Sequence, residues 1–78
     1  MTRDTAVNRN LRLLMRRKGL RQTELARASG LGYQSLHRAV NGRRPIYADE
    51  LPVLAEALGE SPLVLLGLAE ERRESPWA

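Results

Sequence analysis

Cysteine is absent from this 78-residue sequence, which excludes disulfides and thiolate metal sites. A single histidine, His37, has no second His or Cys that could complete a metal site. The sequence also lacks a glycine-rich phosphate loop, and Ser35 and His37 lie two apart on a predicted helix, so they point in different directions. These absences predict that the chain is not an enzyme and uses no cofactor or metal.

Long apolar runs are also missing. The longest runs from Leu63 to Leu66, far shorter than the ~20 residues that cross a bilayer. The first 20 residues carry charges throughout, so no signal peptide is visible. We therefore expect a cytoplasmic protein, either bacterial and nucleoid-associated or encoded by a phage. The length allows one domain.

Charge is present in quantity but unevenly placed. Residues 1–44 contain eleven Lys or Arg and two Asp or Glu, a balance of +9, whereas residues 45–78 contain two basic and seven acidic residues, a balance of −5. Clustered cations bind duplex DNA because each neutralised phosphate releases condensed counterions. The asymmetry favours a polyanion-binding half, although an unevenly charged solvated surface would look the same.

Along the whole chain, apolar residues have the spacing of helices rather than of strands. Alternating β-branched and aromatic stretches are lacking, while apolar residues recur at helical intervals between Gly and Pro. The predicted helices cover about 5–18, 22–29, 33–40 and 49–58, with a fifth after the start signal Ser61-Pro62. The sequence therefore predicts an all-α fold of five helices.

One segment, Gln22 to Asn41, has the spacing of two helices that cross through a tight turn. Such a crossing needs a small residue at the closest approach, here Ala26. The turn needs a residue that accepts positive φ, here Gly30. The second helix needs an aliphatic side chain that packs on the first, here Leu36.

This segment resembles the lambda-repressor-like (Cro/repressor, XRE) helix-turn-helix family, and the resemblance extends over about residues 8–66. Its marks are Gly19-Leu20, Gln22, Leu25-Ala26, Gly30-Leu31, Asn41-Gly42 and the run from Leu54-Ala55 to Leu58-Gly59. The resemblance implies a compact five-helix DNA-binding domain in which the third helix reads DNA. We assign residues 1–69 to it, with the motif at 22–41, the recognition helix at about 33–41, a dimer helix at 62–69 and a flexible tail at 70–78.

Three positions depart from the family pattern. Arg21 stands where a Ser or Thr cap is usual, Ser29 where an apolar residue is usual, and Gly32 where a Ser cap is common. Each is expected to weaken its helix by ~0.5–1 kcal/mol. None removes a residue that would contact DNA.

The resemblance implies a set of DNA-contacting residues. Helix N-termini and side-chain amides donate to phosphate oxygens, whereas the exposed edge of the recognition helix contacts bases. The expected base-contacting residues are Tyr33, Gln34, Ser35, His37 and Arg38. The expected phosphate-contacting residues are Gln22, Asn41, Arg43, Arg44, Tyr47, Arg17 and Lys18. Basic residues at the end of the first helix also suit its dipole, so the sequence does not separate these two roles.

Two functions are compatible with these features. The first is a transcriptional repressor that binds a pseudo-palindromic operator in double-stranded DNA as a homodimer. Its dimer interface would consist of Leu63, Leu65, Leu66 and Leu68, with Trp77 as an additional anchor, although the same leucine face could instead pack into the core of its own chain. The alternative is an antitoxin or adaptor module whose main role is to bind another protein, such as a toxin, through the leucine face and the acidic half.

Overall fold

A computed structural model describes residues 4–71 and contains five helices within that range. Their bounds are α1 Ala6–Lys18, α2 Gln22–Ser29, α3 Tyr33–Val40, α4 Glu50–Leu58 and α5 Pro62–Leu65. The predicted all-α fold is therefore confirmed. The expected tail at 70–78 and the expected anchor Trp77 lie largely or wholly outside the described residues.

Apolar faces of all five helices meet in one core. α2 packs against both α3 and α4, α1 packs against α3 and α5, and α4 packs against α5. The buried cluster comprises Leu11, Leu14, Met15, Leu25, Ala26, Leu36, Val40, Leu54, Ala55, Leu58, Val64 and Leu65. Since α3 contributes its buried face to this core, its opposite edge is fixed relative to the rest of the chain.

The turn between α2 and α3 has the geometry that the motif requires. Gly30 adopts φ 76°, in the left-handed region that favours glycine. Ala26 is buried, and Leu36 is completely buried at the interface of the two helices. The Arg21 side chain does not cap the start of α2. Part of that role is taken by Glu24, whose carboxylate accepts a 2.9 Å hydrogen bond from the Arg21 N–H.

A buried polar side chain connects α1 to the end of α3. Asn8 is fully buried, and its Nδ2 donates to the carbonyls of Ala39 at 2.7 Å and Arg44 at 3.0 Å. Its Oδ1 accepts from the backbone N–H of Thr5 at 2.9 Å, which caps α1. One amide thus supplies a donor to the Arg44 carbonyl and a second donor to the Ala39 carbonyl, which also accepts from the Gly42 N–H at 3.2 Å.

The predicted helix at 62–69 is shorter than expected. Ser61 caps α5 as predicted, since its hydroxyl accepts from the Leu63 N–H at 3.2 Å. The helix ends at Leu65, because Gly67 adopts φ 77° and the Leu68 N–H turns back to the Leu63 carbonyl at 2.8 Å. Leu66 and Leu68 therefore belong to the turn after α5 rather than to the helix.

Candidate nucleic-acid interface

The edge of α3 that faces away from the core is polar and accessible. Leu36, Ala39 and Val40 point into the core. All five of the residues expected to contact bases are exposed, namely Tyr33, Gln34, Ser35, His37 and Arg38. Tyr33 stacks on His37, with 5.9 Å between ring centroids. The helix can therefore present these side chains to a partner, although their base contacts stay a prediction.

Three polar side chains connect α2 to α3 at this edge. Gln22 Oε1 lies 2.8 Å from Nδ1 of His37. Asn41 Nδ2 lies 3.2 Å from Nε2 of the same ring and donates to the His37 carbonyl at 2.8 Å. The two amides expected to bind phosphate thus flank one imidazole and form a continuous hydrogen-bonded chain, which we call the amide–histidine chain (Gln22, His37, Asn41).

Basic residues border the amide–histidine chain on both sides. A cleft between α1, α2 and α3 is lined by Arg16 and Arg21 together with Gln22 and Asn41. A neighbouring depression is lined by Arg38 and Arg43 with His37 and Asn41. Amide donors surrounded by exposed guanidinium groups form the kind of surface that binds a phosphate backbone.

Arg21 was not among the phosphate contacts predicted from the sequence, and Arg16 was one of three basic residues at the end of α1 for which a phosphate contact and a dipole role were both left open. Helical spacing could have indicated Arg16, because it lies one turn after Arg12 on the side of α1 that approaches α3. Arg17 is exposed and, within residues 4–71, makes no ion pair. Its phosphate contact therefore stays a prediction.

The structure gives Lys18 a role other than the predicted phosphate contact. Its Nζ lies 2.8 Å from a carboxylate oxygen of Glu60, and the Glu60 side chain is only 1% exposed. A buried carboxylate without its cation would be strongly destabilising. Lys18 is therefore committed to the α4–α5 side of the fold, away from the cleft.

Arg44 also departs from the prediction. Its side chain is 7% exposed and pairs with both Glu50 carboxylate oxygens, at 2.8 and 2.9 Å. Its Nε donates to the Ser35 carbonyl at 3.0 Å, and Nη1 donates to the Pro45 carbonyl at 2.9 Å. Burial and these four bonds leave it unsuited to bind phosphate, so Arg44 supports α3 and the following loop from within.

The Arg44–Glu50 pair also sets the ionisation of Glu50. Burial raises the pKa of the Glu50 carboxyl, but hydrogen bonds from Arg44 and from the Tyr47 N–H outweigh burial, so that the pKa is lowered below its ordinary value. Tyr47 is 54% exposed, and the Arg44 guanidinium lies over its ring at 5.2 Å. Tyr47 is therefore accessible, and its predicted phosphate contact stays a prediction.

A second ion pair holds the start of the described chain against the end of α3. Arg12 binds both carboxylate oxygens of Asp4, at 2.6 and 2.8 Å, and donates to the Val40 carbonyl at 2.8 Å. The hydrogen bond from Arg12 lowers the pKa of Asp4. Two features favour glycine at position 42: its φ is 70°, and a Cβ there would collide with the Asp4 side chain. The sequence did not reveal this contact, because Asp4 and Arg12 are eight positions apart.

The four leucines expected to form a dimer interface do not share one environment. Leu63, Leu66 and Leu68 are 48%, 41% and 74% exposed. Leu65 is fully buried in the core, so the prediction for this residue is wrong. Leu13 is a further exposed leucine at 43%, one turn from Asn10, whose amide donates to the Leu65 carbonyl at 2.8 Å. An apolar surface comprising Leu13, Leu63, Leu66 and Leu68 thus remains around α5.

Other kinds of site find little support in the part of the chain that the structure describes. Within residues 4–71, no three His, Asp or Glu side chains are grouped so that they could hold a metal ion. Over the same range, every helix is too short or too polar to cross a membrane.

Comparisons with known proteins agree with this architecture. A family model described as a helix-turn-helix domain matches residues 9–74. No curated protein matches the sequence. Among solved structures, the chain is similar to the restriction-modification controller protein C.AhdI from Aeromonas hydrophila. The two are 33% identical with a TM-score of 0.71, over 77% of this chain and 91% of that one. The family match includes α2, α3 and the basic cleft.

Proposed function

The chain belongs to the helix-turn-helix family of lambda-repressor-like (XRE) type, and from this premise we propose that it is a repressor that binds a pseudo-palindromic operator as a homodimer. That it is a DNA-binding transcriptional regulator follows from the family. The observation that carries the finer proposal is the exposed polar edge of α3 beside the basic cleft. In this proposal α3 lies in the major groove of the operator. The chain acts in the cytoplasm, where it meets that DNA.

Base reading is assigned to the α3 edge. Gln34 is exposed near the start of the helix, and its amide can pair in bidentate fashion with adenine. Arg38 suits guanine or a phosphate, and Tyr33 suits a thymine methyl group. Gln34→Ala is therefore expected to lose discrimination at one base position, by about 1–3 kcal/mol.

Phosphate binding is assigned to Gln22, Arg43, Arg17 and Tyr47 from the sequence, and to Arg16 and Arg21 from their place in the basic cleft. Lys18 and Arg44 are left out because each pairs with a carboxylate within the fold, and Asn41 is left out because both hydrogens of its amide are donated to His37. Each cation that neutralises a phosphate contributes ~0.9 to the slope of log K against log salt. Arg43→Ala is thus expected to weaken binding to all sequences and to reduce this slope by about one.

The experiment is a random-oligonucleotide selection with purified protein, followed by titration of the selected duplex at several salt concentrations. The matched control for Arg43→Ala is Arg27→Ala, which removes the same charge from an exposed position about 140° around α2 from Gln22. Binding without sequence preference, or an equal loss of slope in both variants, would contradict the proposal.

The homodimer is supported by the apolar surface around α5. Domains of this size bury only ~60% of their unfolded surface, and contiguous exposed apolar patches mark interaction sites. A second copy that covers Leu13, Leu63, Leu66 and Leu68 would place two recognition helices on half-sites about 34 Å apart. Leu66→Glu is expected to give a monomer in sedimentation equilibrium and to lose cooperative operator binding.

Val53→Glu is the control for this substitution, because Val53 is 38% exposed on α4 and lies outside the proposed interface. A monomeric parent protein, or dissociation by both variants alike, would refute the interface. Recovery of a stable complex with a second protein, together with feeble DNA affinity, would instead favour the antitoxin or adaptor function.

The likeness to C.AhdI favours one regulatory setting in particular. That protein is a restriction-modification controller, and this chain matches 91% of its length. We propose that this chain also regulates genes for restriction and modification enzymes. Selected operator sequences lying upstream of such a gene pair, with transcription altered by the protein, would support this; operators elsewhere would oppose it.

A further inference from the structure

The amide–histidine chain determines where its own protons lie. The His37 carbonyl can only accept a hydrogen bond, so the Asn41 atom 2.8 Å from it must be the amide nitrogen. That same nitrogen lies 3.2 Å from Nε2 of His37. Because the nitrogen of an amide can only donate, Nε2 must accept and therefore carries no proton.

The remaining proton position follows from the first two. A neutral imidazole without a proton on Nε2 carries it on Nδ1, which then donates to Gln22 at 2.8 Å. The Gln22 atom at this position must be the oxygen, since only oxygen accepts. The chain therefore runs in one direction, from Asn41 through His37 to Gln22.

We propose that His37 is a positioning residue for DNA binding, which holds Gln22 so that its amide NH2 group faces outward as a phosphate donor. Phosphate oxygens only accept hydrogen bonds, so Gln22 binds a phosphate in this orientation but not in the flipped one. Asn41 is held the opposite way: both amide hydrogens point at His37 and Oδ1 is left outward. An outward oxygen suits an amino group on adenine or cytosine rather than the phosphate expected from the sequence.

This inference rests on the proposed function for its DNA partner but can be tested first without DNA. Long-range nitrogen–proton NMR spectra of the free protein at a pH where His37 is neutral distinguish its two tautomers. We expect the proton on Nδ1 in the parent protein and in Gln22→Ala, and a shift toward a mixture in Asn41→Ala, which removes the donor to Nε2. A proton on Nε2 in the parent would overturn the inference, even if DNA binding were normal.

DNA binding then tests whether the orientation matters. Asn and Leu have similar shapes, but in His37→Asn the amide nitrogen replaces Nδ1 as a donor to Gln22, whereas His37→Leu has no donor. We expect His37→Leu to weaken binding to every duplex by roughly three- to tenfold, as for the loss of one hydrogen bond, and His37→Asn to restore most of this loss. A change of preference at one base position, without a general loss, would show that His37 only contacts a base.

A double-mutant cycle completes the test on the duplex obtained by selection. In a Gln22→Ala background, His37→Leu should weaken binding to this duplex less than about twofold, because the side chain that His37 positions is already gone. In a Thr23→Ala background, which changes the next residue of α2, His37→Leu should weaken binding as much as it does in the parent protein. Equal losses in all three backgrounds would overturn the inference, whereas failure of the parent to bind any duplex would overturn the proposed function as well.

Discussion

Replacement of Asn8 by alanine is the sharpest test of how this small fold holds its recognition helix. Asn8 is fully buried and donates to two carbonyls at the end of α3 and in the loop beyond it, those of Ala39 and Arg44. Its oxygen also caps α1 through the Thr5 N–H. Asn8→Ala removes these three contacts together with the 2.6 Å hydrogen bond that Asn8 Oδ1 accepts from the Thr5 hydroxyl, and leaves two carbonyls with one partner fewer.

The expected loss can be estimated from these contacts. A buried polar group deprived of its partner costs ~1–3 kcal/mol, and loss of a capping interaction costs ~0.5–2 kcal/mol. We expect a total of about 3–5 kcal/mol, since helical partners partly satisfy the Ala39 carbonyl. A chain of this length has a free energy of unfolding of about 4–12 kcal/mol. The variant should therefore lose a large fraction of this stability, and at the low end of the range it would be unfolded at room temperature.

Urea denaturation followed by circular dichroism measures this loss directly. The matched control is Asn10→Ala, two residues along α1, where the amide is only partly buried and donates to one carbonyl, that of Leu65. One such bond is worth ~0.5–1.5 kcal/mol. If Asn8→Ala lost no more than the control, the reasoning that this amide joins α1 to α3 would be refuted.

Three further predictions concern other parts of the fold. Gly42→Ala should destabilise more than Gly30→Ala in urea denaturation; both carry the ~1–2 kcal/mol strain of a left-handed residue, but only Gly42 has a close neighbour, and equal losses would contradict this. Because the pKa of Glu50 is lowered in the folded state, its carboxylate stabilises the fold above its ordinary pKa, and this contribution is lost as the pH falls below it. Glu50→Gln should therefore be less stable at neutral pH and lose less stability on acidification, and an unchanged acid titration would contradict this. Arg16→Ala should reduce the salt slope of DNA binding by ~0.9, and an unchanged slope would show that the cleft does not bind phosphate.

Local signals in the sequence were sufficient for the helices and for the motif. Helical apolar spacing, the Ser61-Pro62 start and the residues Ala26, Gly30 and Leu36 each act within a few residues of chain. All five helices begin within a residue or two of the predicted positions, although α5 ends early at Leu65. The exposed α3 edge follows from the same spacing, because burial of one helical face leaves the other face accessible.

Polar contacts between residues far apart in the chain could not be predicted from such local signals. A basic residue in sequence looks the same whether it faces DNA or a buried carboxylate. Lys18 and Glu60 are 42 positions apart, and only the packing of α1 against α5 brings them within 2.8 Å. Leu65 is likewise indistinguishable from Leu66 until the direction of α5 against the core is known.

Spacing and composition alone were enough to predict the fold class, the motif and the cationic character of one half of the chain. Which cations are accessible, and in which direction each amide points, depends instead on how the helices pack. Those outcomes depend on partners such as Asn8, Glu50 and Glu60, which meet their contacts only when the helices pack. Each of these pairings is needed for stability, because a polar group that is buried without a partner loses its hydrogen bonds to water and gains none in return.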